Sequence, residues 1–169
     1  MEELRQALRD AKVDAIVVTA MDEVAWLYNL RGYDIKNNPV FAGYAIVDAK
    51  TNDSYLFVSR DRWQLPIYQH LNLLPGIPER CMNSDDCVFL QDYEEFLDRL
   101  SILQRDWEKV LIPSKYSYSG GASYAIYKSV RHARVALDDP FFFVNIYHAN
   151  DLPRSMSLRS YNNLHRSSS

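Results

Sequence analysis

The chain has 169 residues, 47% of them hydrophobic, which is enough for one domain with a substantial core and too apolar for disorder throughout. Its 22 acidic and 19 basic side chains are interspersed and leave a net charge of −3, so charge gives no basis for nucleic-acid binding. The first residues, Met-Glu-Glu-Leu-Arg, lack the basic and apolar regions of a signal peptide, and no apolar run approaches the ~18 residues of a membrane span.

The cytoplasm is therefore the expected compartment, with no membrane partner. Cys81 and Cys87 stand alone as a C-x5-C pair, with no second Cys/His pair at zinc-ligand spacing. In a reducing compartment they are expected as free thiols.

Residues 2–11 read as a helix, because Leu4, Ala7, Leu8 and Ala11 recur at helical spacing and the acidic start suits the dipole. The β-branched run at 13–19 reads as a buried strand. Asp22 is placed to cap a short helix carrying Val24, Ala25, Trp26 and Leu27, and Gly32 to end it. An Asn- and Asp-rich loop follows, from Tyr33 to Pro39. Residues 41–49 and 53–59 read as a hairpin over the turn Lys50-Thr51-Asn52-Asp53.

Arg60 to Leu74 is expected to be helical, with Pro66 near its start or at a kink, and Pro75-Gly76-Ile77-Pro78 to break the chain. A short strand at 87–90, an amphipathic helix at 93–104, a strand at 109–113, a helix at 122–130 and a strand at 135–137 complete the pattern. Phe141 to Tyr147 is apolar. Strands alternating with helices imply a three-layer α/β/α domain, and the hairpin makes its central sheet mixed. The domain is expected to span 1–150. Residues 151–169, with six serines from Ser155 on, are expected to lack order unless something covers them.

Few residues offer chemistry. Arg31 sits where a helix gives way to a loop, and its guanidinium could grip a peptide carboxylate or carbonyl, with Asn29 as an auxiliary donor. The competing reading is structural: Arg31 caps the helix and pairs with Asp34 or Asp22. Trp26 and Tyr28 read as packing residues. Asp22 and Glu23 are neighbours on a helix and do not face each other.

Asp85-Asp86 and Asp138-Asp139 stand in turn-like sequence. His70, His132, His148 and His165 have no metalloprotease spacing. Ser119-Gly120-Gly121 lacks the Gly-Lys-Ser/Thr of a phosphate loop, and no Gly-x-Ser-x-Gly elbow occurs. No catalytic residue and no metal ligand is expected.

The run from Thr19 to Val47 is the most distinctive. Asp22, Glu23, Ala25, Trp26, Leu27, Asn29, Arg31 and Gly32 are followed by Asn38, Pro39, Val40 and Phe41. This order resembles the D-E-x-A-W-L-x-N-x-R-G core and N-P-V-F segment of the creatinase/prolidase-type N-terminal domain of Xaa-Pro aminopeptidases (aminopeptidase P). The likeness is greatest to the domain preceding the catalytic domain in the three-domain cytosolic form. Tyr55 to Arg62 and Lys109 to Tyr118 resemble later steps of the same domain.

The resemblance implies a ribonuclease-H-like layout. It also implies a non-catalytic role, supporting substrate positioning and dimerisation in a hydrolase that removes an N-terminal residue preceding proline. The implied partners are a second copy, or the catalytic domain of the same family, through which peptide substrate is met. Two divalent metal ions, manganese or similar, belong to that missing catalytic domain and none to this chain. Peptidase activity is not expected from the chain alone. The alternative is a truncated paralogue acting as a protein- or peptide-binding module, its Phe141-Phe142-Phe143 and Ile146-Tyr147 suited to a partner. A weaker third reading is an unrelated α/β enzyme.

Overall fold

The computed structural model describes residues 1–82, 87–113 and 121–130, without the side chains of 78 and 79, and the backbone alone of 134–137 and 156–157. Helix α1 (Glu2–Asp10) leads into strand β1 (Ala15–Val18), then α2 (Met21–Leu27) and the two-residue β2 (Leu30–Arg31). Strands β3 (Tyr44–Asp48) and β4 (Ser54–Val58) form the expected hairpin. Next come α3 (Leu65–His70), β5 (Leu73–Leu74), β6 (Ile77–Cys81), β7 (Val88–Asp92), α4 (Phe96–Leu103), β8 (Lys109–Ile112), α5 (Tyr124–Ser129), β9 (Arg134–Leu137) and β10 (Met156–Ser157).

Six strands form one mixed sheet in the order β7-β4-β3-β1-β8-β9. β3 alone runs against the rest: it is antiparallel to β1 and to β4, while β1–β8, β8–β9 and β4–β7 are parallel pairs. Alternate residues of each strand feed two cores, because successive side chains point to opposite faces. On one face Ile16, Val18, Val47 and Leu56 pack with Leu4 and Leu8 of α1, Val24 of α2 and Ile67 of α3. On the other, Val17, Ile46, Phe57 and Val110 pack with Phe96 and Leu100 of α4 and Ile126 of α5. Each such side chain removed from water contributes about 1.5–3 kcal/mol. This is the three-layer α/β/α architecture with a mixed sheet that the sequence implies.

Five local expectations are corrected. The segment 60–74 is not one helix. A single 3-10 turn (Arg60–Arg62) is separated from α3 by Gln64, whose extended backbone (φ −110°, ψ 156°) precedes the helix. Pro66 restricts its predecessor and has no N–H to give a helix interior, so it sits in the first turn of α3, where none is needed. Pro75-Gly76 does not simply break the chain. It turns the β5–β6 hairpin, with Gly76 at φ 77°, a conformation that costs a residue without Cβ nothing.

Asp22 is not the N-cap of α2. Ala20 is, and Asp22 lies inside the first turn, its Oδ1 accepting from Glu23 N at 3.0 Å. Nor does Gly32 end α2. The helix ends at Leu27, with Tyr28 as C-cap and Asn29 in the left-handed region at φ 50°. Finally, Cys81 and Cys87 are not free thiols but are joined in a disulfide. Sequence spacing could not distinguish the two states, because bonding depends on the 5.7 Å between their Cα atoms, which the approach of β6 to β7 sets.

Candidate functional site

The two ends of the sheet differ in character. At the amino end of β1, Asp14 and Asp48 act as buried or half-buried fasteners. Asp14 Oδ2 accepts from Glu108 N at 2.6 Å and Lys109 N at 3.0 Å. Asp48 Oδ1 accepts from Lys50 N and Thr51 N at 2.8 and 3.0 Å, and its Oδ2 from Trp107 Nε1 at 2.7 Å. Their bonds within the fold leave little for a ligand.

At the opposite end the carboxyl ends of β1, β4, β7, β8 and β9 come together, beside the start of β3. In open α/β sheets ligands bind outside the carboxyl ends of strands, where loops rather than ladders present the polar groups. Charged groups do gather here. Arg60, just past β4, donates to Asp92 at the end of β7 (Nε–Oδ2 2.5 Å) and to Glu95 (Nη2–Oε1 2.9 Å), with its guanidinium 5.4 Å from the Trp63 ring centre. These bonds and charges hold the Arg60 proton more tightly than usual, Asp92 foremost.

Tyr93 donates to the Tyr44 hydroxyl at 3.2 Å, and the two rings stack at 5.0 Å. That hydrogen bond, then burial, pushes the Tyr93 phenol up to about 12. Below about pH 10 folded and unfolded chains both keep the phenol proton and the contact contributes in full. Above it the unfolded chain loses protons first, so stability falls as pH rises towards 12. The Tyr93→Phe variant is expected to lose about 1 kcal/mol at neutral pH and to show a shallower alkaline decline. Urea midpoints from pH 7 to 11.5 measure this, and parallel curves for variant and parent would refute it.

Arg31 stands at the root of the loop that returns the chain to this end. Its Nη1 donates to Ala25 O at 3.2 Å and to Leu30 O at 2.9 Å, so it caps the carbonyl end of α2. The expected pairing with Asp34 or Asp22 is not made: Asp34 accepts from Arg62 Nη2 at 2.6 Å and from Ala42 N at 2.7 Å. Arg31 Nη2 and Nε make no hydrogen bond among the described residues, leaving one side of the guanidinium fork open.

The backbone of Leu30 and Arg31 pairs in parallel with Met156 and Ser157, the one described part of the segment after 150. Asn29, which the sequence suggested as a donor, has its Oδ1 buried with no partner among the described residues.

The loop itself is held at both ends. Gly32 N donates to Pro39 O at 3.2 Å and Asp34 N to Val40 O at 3.1 Å, and Asp34–Arg62 ties it to the chain beyond β4. Its tip projects, with Tyr33 50% and Ile35 42% exposed. Tyr28 is core and donates to Tyr55 O at 3.0 Å, as a packing role requires.

His70 Nε2 lies 2.9 Å from Tyr28 O. Among the described residues no group of three or more His, Cys, Asp or Glu side chains could hold a metal ion, so the chain as described does not fit a dinuclear centre. His132, His148, His165, the pairs Asp85-Asp86 and Asp138-Asp139, Ser119-Gly120, and Phe141 to Tyr147 lie outside the described residues. The sequence reading missed Arg60–Asp92–Glu95 and Tyr44–Tyr93 as clusters. Their partners stand over thirty residues apart, so no local pattern marks them.

A family model described as the creatinase/prolidase N-terminal domain matches residues 1–144. The chain belongs to that family. As a creatinase/prolidase N-terminal domain it is 33% identical over 124 residues to Xaa-Pro aminopeptidase 2 of Mus musculus, covering 73% of this chain and 16% of the mouse protein. It is 37% identical over 136 residues to the Probable Xaa-Pro aminopeptidase P of Laccaria bicolor, covering 75% and 19%.

Among solved structures it shares the fold of the X-prolyl aminopeptidase of Caenorhabditis elegans, described as a cytosolic enzyme with a di-nuclear active site. That match has a TM-score of 0.64 at 22% identity, over 83% of this chain and 21% of that one. The N-terminal domain of a cytoplasmic peptidase from Mycobacterium tuberculosis matches with a TM-score of 0.52 at 11% identity, over 85% and 95%. The chain thus spans about a fifth or less of the curated relatives it matches. No helix among the described residues is long and apolar enough to cross a membrane.

Proposed function

We propose that this domain is a non-catalytic, substrate-positioning part of a metallo-aminopeptidase that removes the N-terminal residue preceding proline. In this reading it works beside a catalytic domain that holds two divalent metal ions, and it also contributes to pairing of two subunits. The carrying observation is Arg31, whose Nη1 is fixed on Ala25 O and Leu30 O while the rest of its fork is unbonded among the described residues. A guanidinium fixed on one side and open on the other suits recognition of a peptide carbonyl or carboxylate.

Asn29 supports the same reading. Its left-handed backbone (φ 50°) and its buried, unpartnered Oδ1 both cost stability, and glycine would avoid both costs. The likeness to Xaa-Pro aminopeptidases supports this substrate class, and the C. elegans neighbour, described as cytosolic, is consistent with a cytosolic setting.

The test uses a peptidase that carries this domain together with its catalytic domain. Arg31→Ala is expected to lower kcat/KM for an Xaa-Pro peptide roughly tenfold, about 1.4 kcal/mol, mostly through KM, with Arg31→Lys intermediate. Asn29→Gly should leave the domain as stable or more stable while activity falls. Unchanged kinetics in all three variants would leave these residues purely structural.

A further inference from the structure

Cys81 closes β6 and is bonded to Cys87, the residue before β7. Strands β5 and β6 form a two-stranded sheet of their own. β6 packs against β7 without joining its ladder. β7 is the outer strand of the main sheet, with β4 as its strand partner. The hairpin therefore covers a sheet edge, a place where uncovered backbone invites pairing with another chain.

The two sides of the bond are anchored differently. Cys87 O accepts from both Ser54 N (2.9 Å) and Ser54 Oγ (3.2 Å), which ties that side to β4. On the hairpin side Leu73 is buried in the core and Met82 N donates to Asn72 O at 2.8 Å, but the β6 strand has no ladder to the main sheet. Both cysteines are half-buried, within reach of a small thiol.

We propose that the Cys81–Cys87 disulfide is a reversible redox clamp that holds the β5–β6 hairpin over the β7 edge and is opened by a dithiol reductant. A thiolate of the reductant attacks one cysteine sulfur and forms a mixed disulfide, and the other cysteine leaves as a thiolate and takes up a proton. The reductant's second thiolate then attacks its own sulfur in the mixed disulfide and departs as the oxidised cyclic disulfide. Two electrons and two protons end on Cys81 and Cys87. The Cys87 side stays on the sheet, and β6, the strand that carries Cys81, loosens and bares the edge of β7. In a reducing compartment the domain would be found in this opened form, and in an oxidising one in the closed form.

The test compares the purified chain oxidised, reduced with dithiothreitol, and as the Cys81→Ser/Cys87→Ser double variant. Alkylation followed by mass measurement counts free thiols, and hydrogen exchange follows 72–82 and 88–92. The oxidised chain is expected to present no alkylatable thiol. Reduction is expected to lower Tm by roughly 5–10 °C, as loss of a short cross-link predicts, and to speed exchange in those two segments alone. The double variant should behave like the reduced chain and ignore dithiothreitol.

Free thiols in the oxidised chain, a bond between copies on a non-reducing gel, or equal Tm and exchange in both states would overturn the proposal. Global unfolding of both the reduced chain and the double variant would also overturn it, since the bond would then be a staple and not a clamp.

Discussion

Replacing Asp48 with alanine is expected to destabilise the domain by about 3–4 kcal/mol, seen as a lower urea midpoint at unchanged slope. Asp48 is 3% exposed, and Trp107, whose indole N–H its carboxylate accepts at 2.7 Å, is 4% exposed. Removal strands that N–H away from water, which alone costs about 1–3 kcal/mol. It also releases Lys50 N and Thr51 N, which Asp48 Oδ1 holds in the turn between β3 and β4.

The variant Asp48→Asn separates the two effects. One amide oxygen can still serve the turn, but an NH2 then faces the indole N–H, so a loss of about 2 kcal/mol is expected. Pairing Asp48→Asn with Trp107→Phe should cost less than the two losses added, because both remove the same bond. Strict additivity would mean that the indole contact contributes nothing.

Gly32→Ala is the second large effect, a loss of about 2–3 kcal/mol. A Cβ at position 32 would sit 2.6 Å from Phe41 Cβ and 2.9 Å from Val40 O. The second of these is backbone, and Phe41 is fully buried, so neither can give way cheaply. The strain should be relieved by moving the 33–39 loop, with weakening of Gly32 N–Pro39 O and of the Asp34–Arg62 pair. The loss should therefore come with faster hydrogen exchange in 32–42. A stable variant with parent-like exchange there would contradict the close approach.

The layers of this fold were legible because periodicity records burial. Leu4 and Leu8 marked α1, the run around Ala15–Val18 marked β1, and Lys50 to Asp53 marked the turn of the central hairpin. What failed depended on contacts distant in sequence. Gly32 looked like a helix stop and is instead a point where two chain segments touch, and no local pattern distinguishes the two. The cysteines looked free because their pairing depends on where β6 meets β7.

Arg31 was legible as a residue of interest from its motif and its place at a helix end. Its division into a bonded and an open side was not, because both acceptors are backbone carbonyls. Asp34 was assigned to the wrong arginine, since Arg62 reaches it only once β4 has brought position 62 beside the loop.

The central position of β1 carries a consequence for biosynthesis. Its partner β3 is nearby in the chain, but the other flank is completed by β8, and Asp14 waits for Lys109 across a separation of 95 residues. At roughly 5–20 residues per second, a ribosome needs about 5–20 s to supply that stretch. Once β3 has been made, the nascent chain holds β1 paired on that side alone, with its second flank bare until β8 arrives. The domain can close only after Ile112 has left the exit tunnel, so the last parallel strands, and not the early hairpin, set when this protein becomes safe from pairing with its neighbours on a polysome.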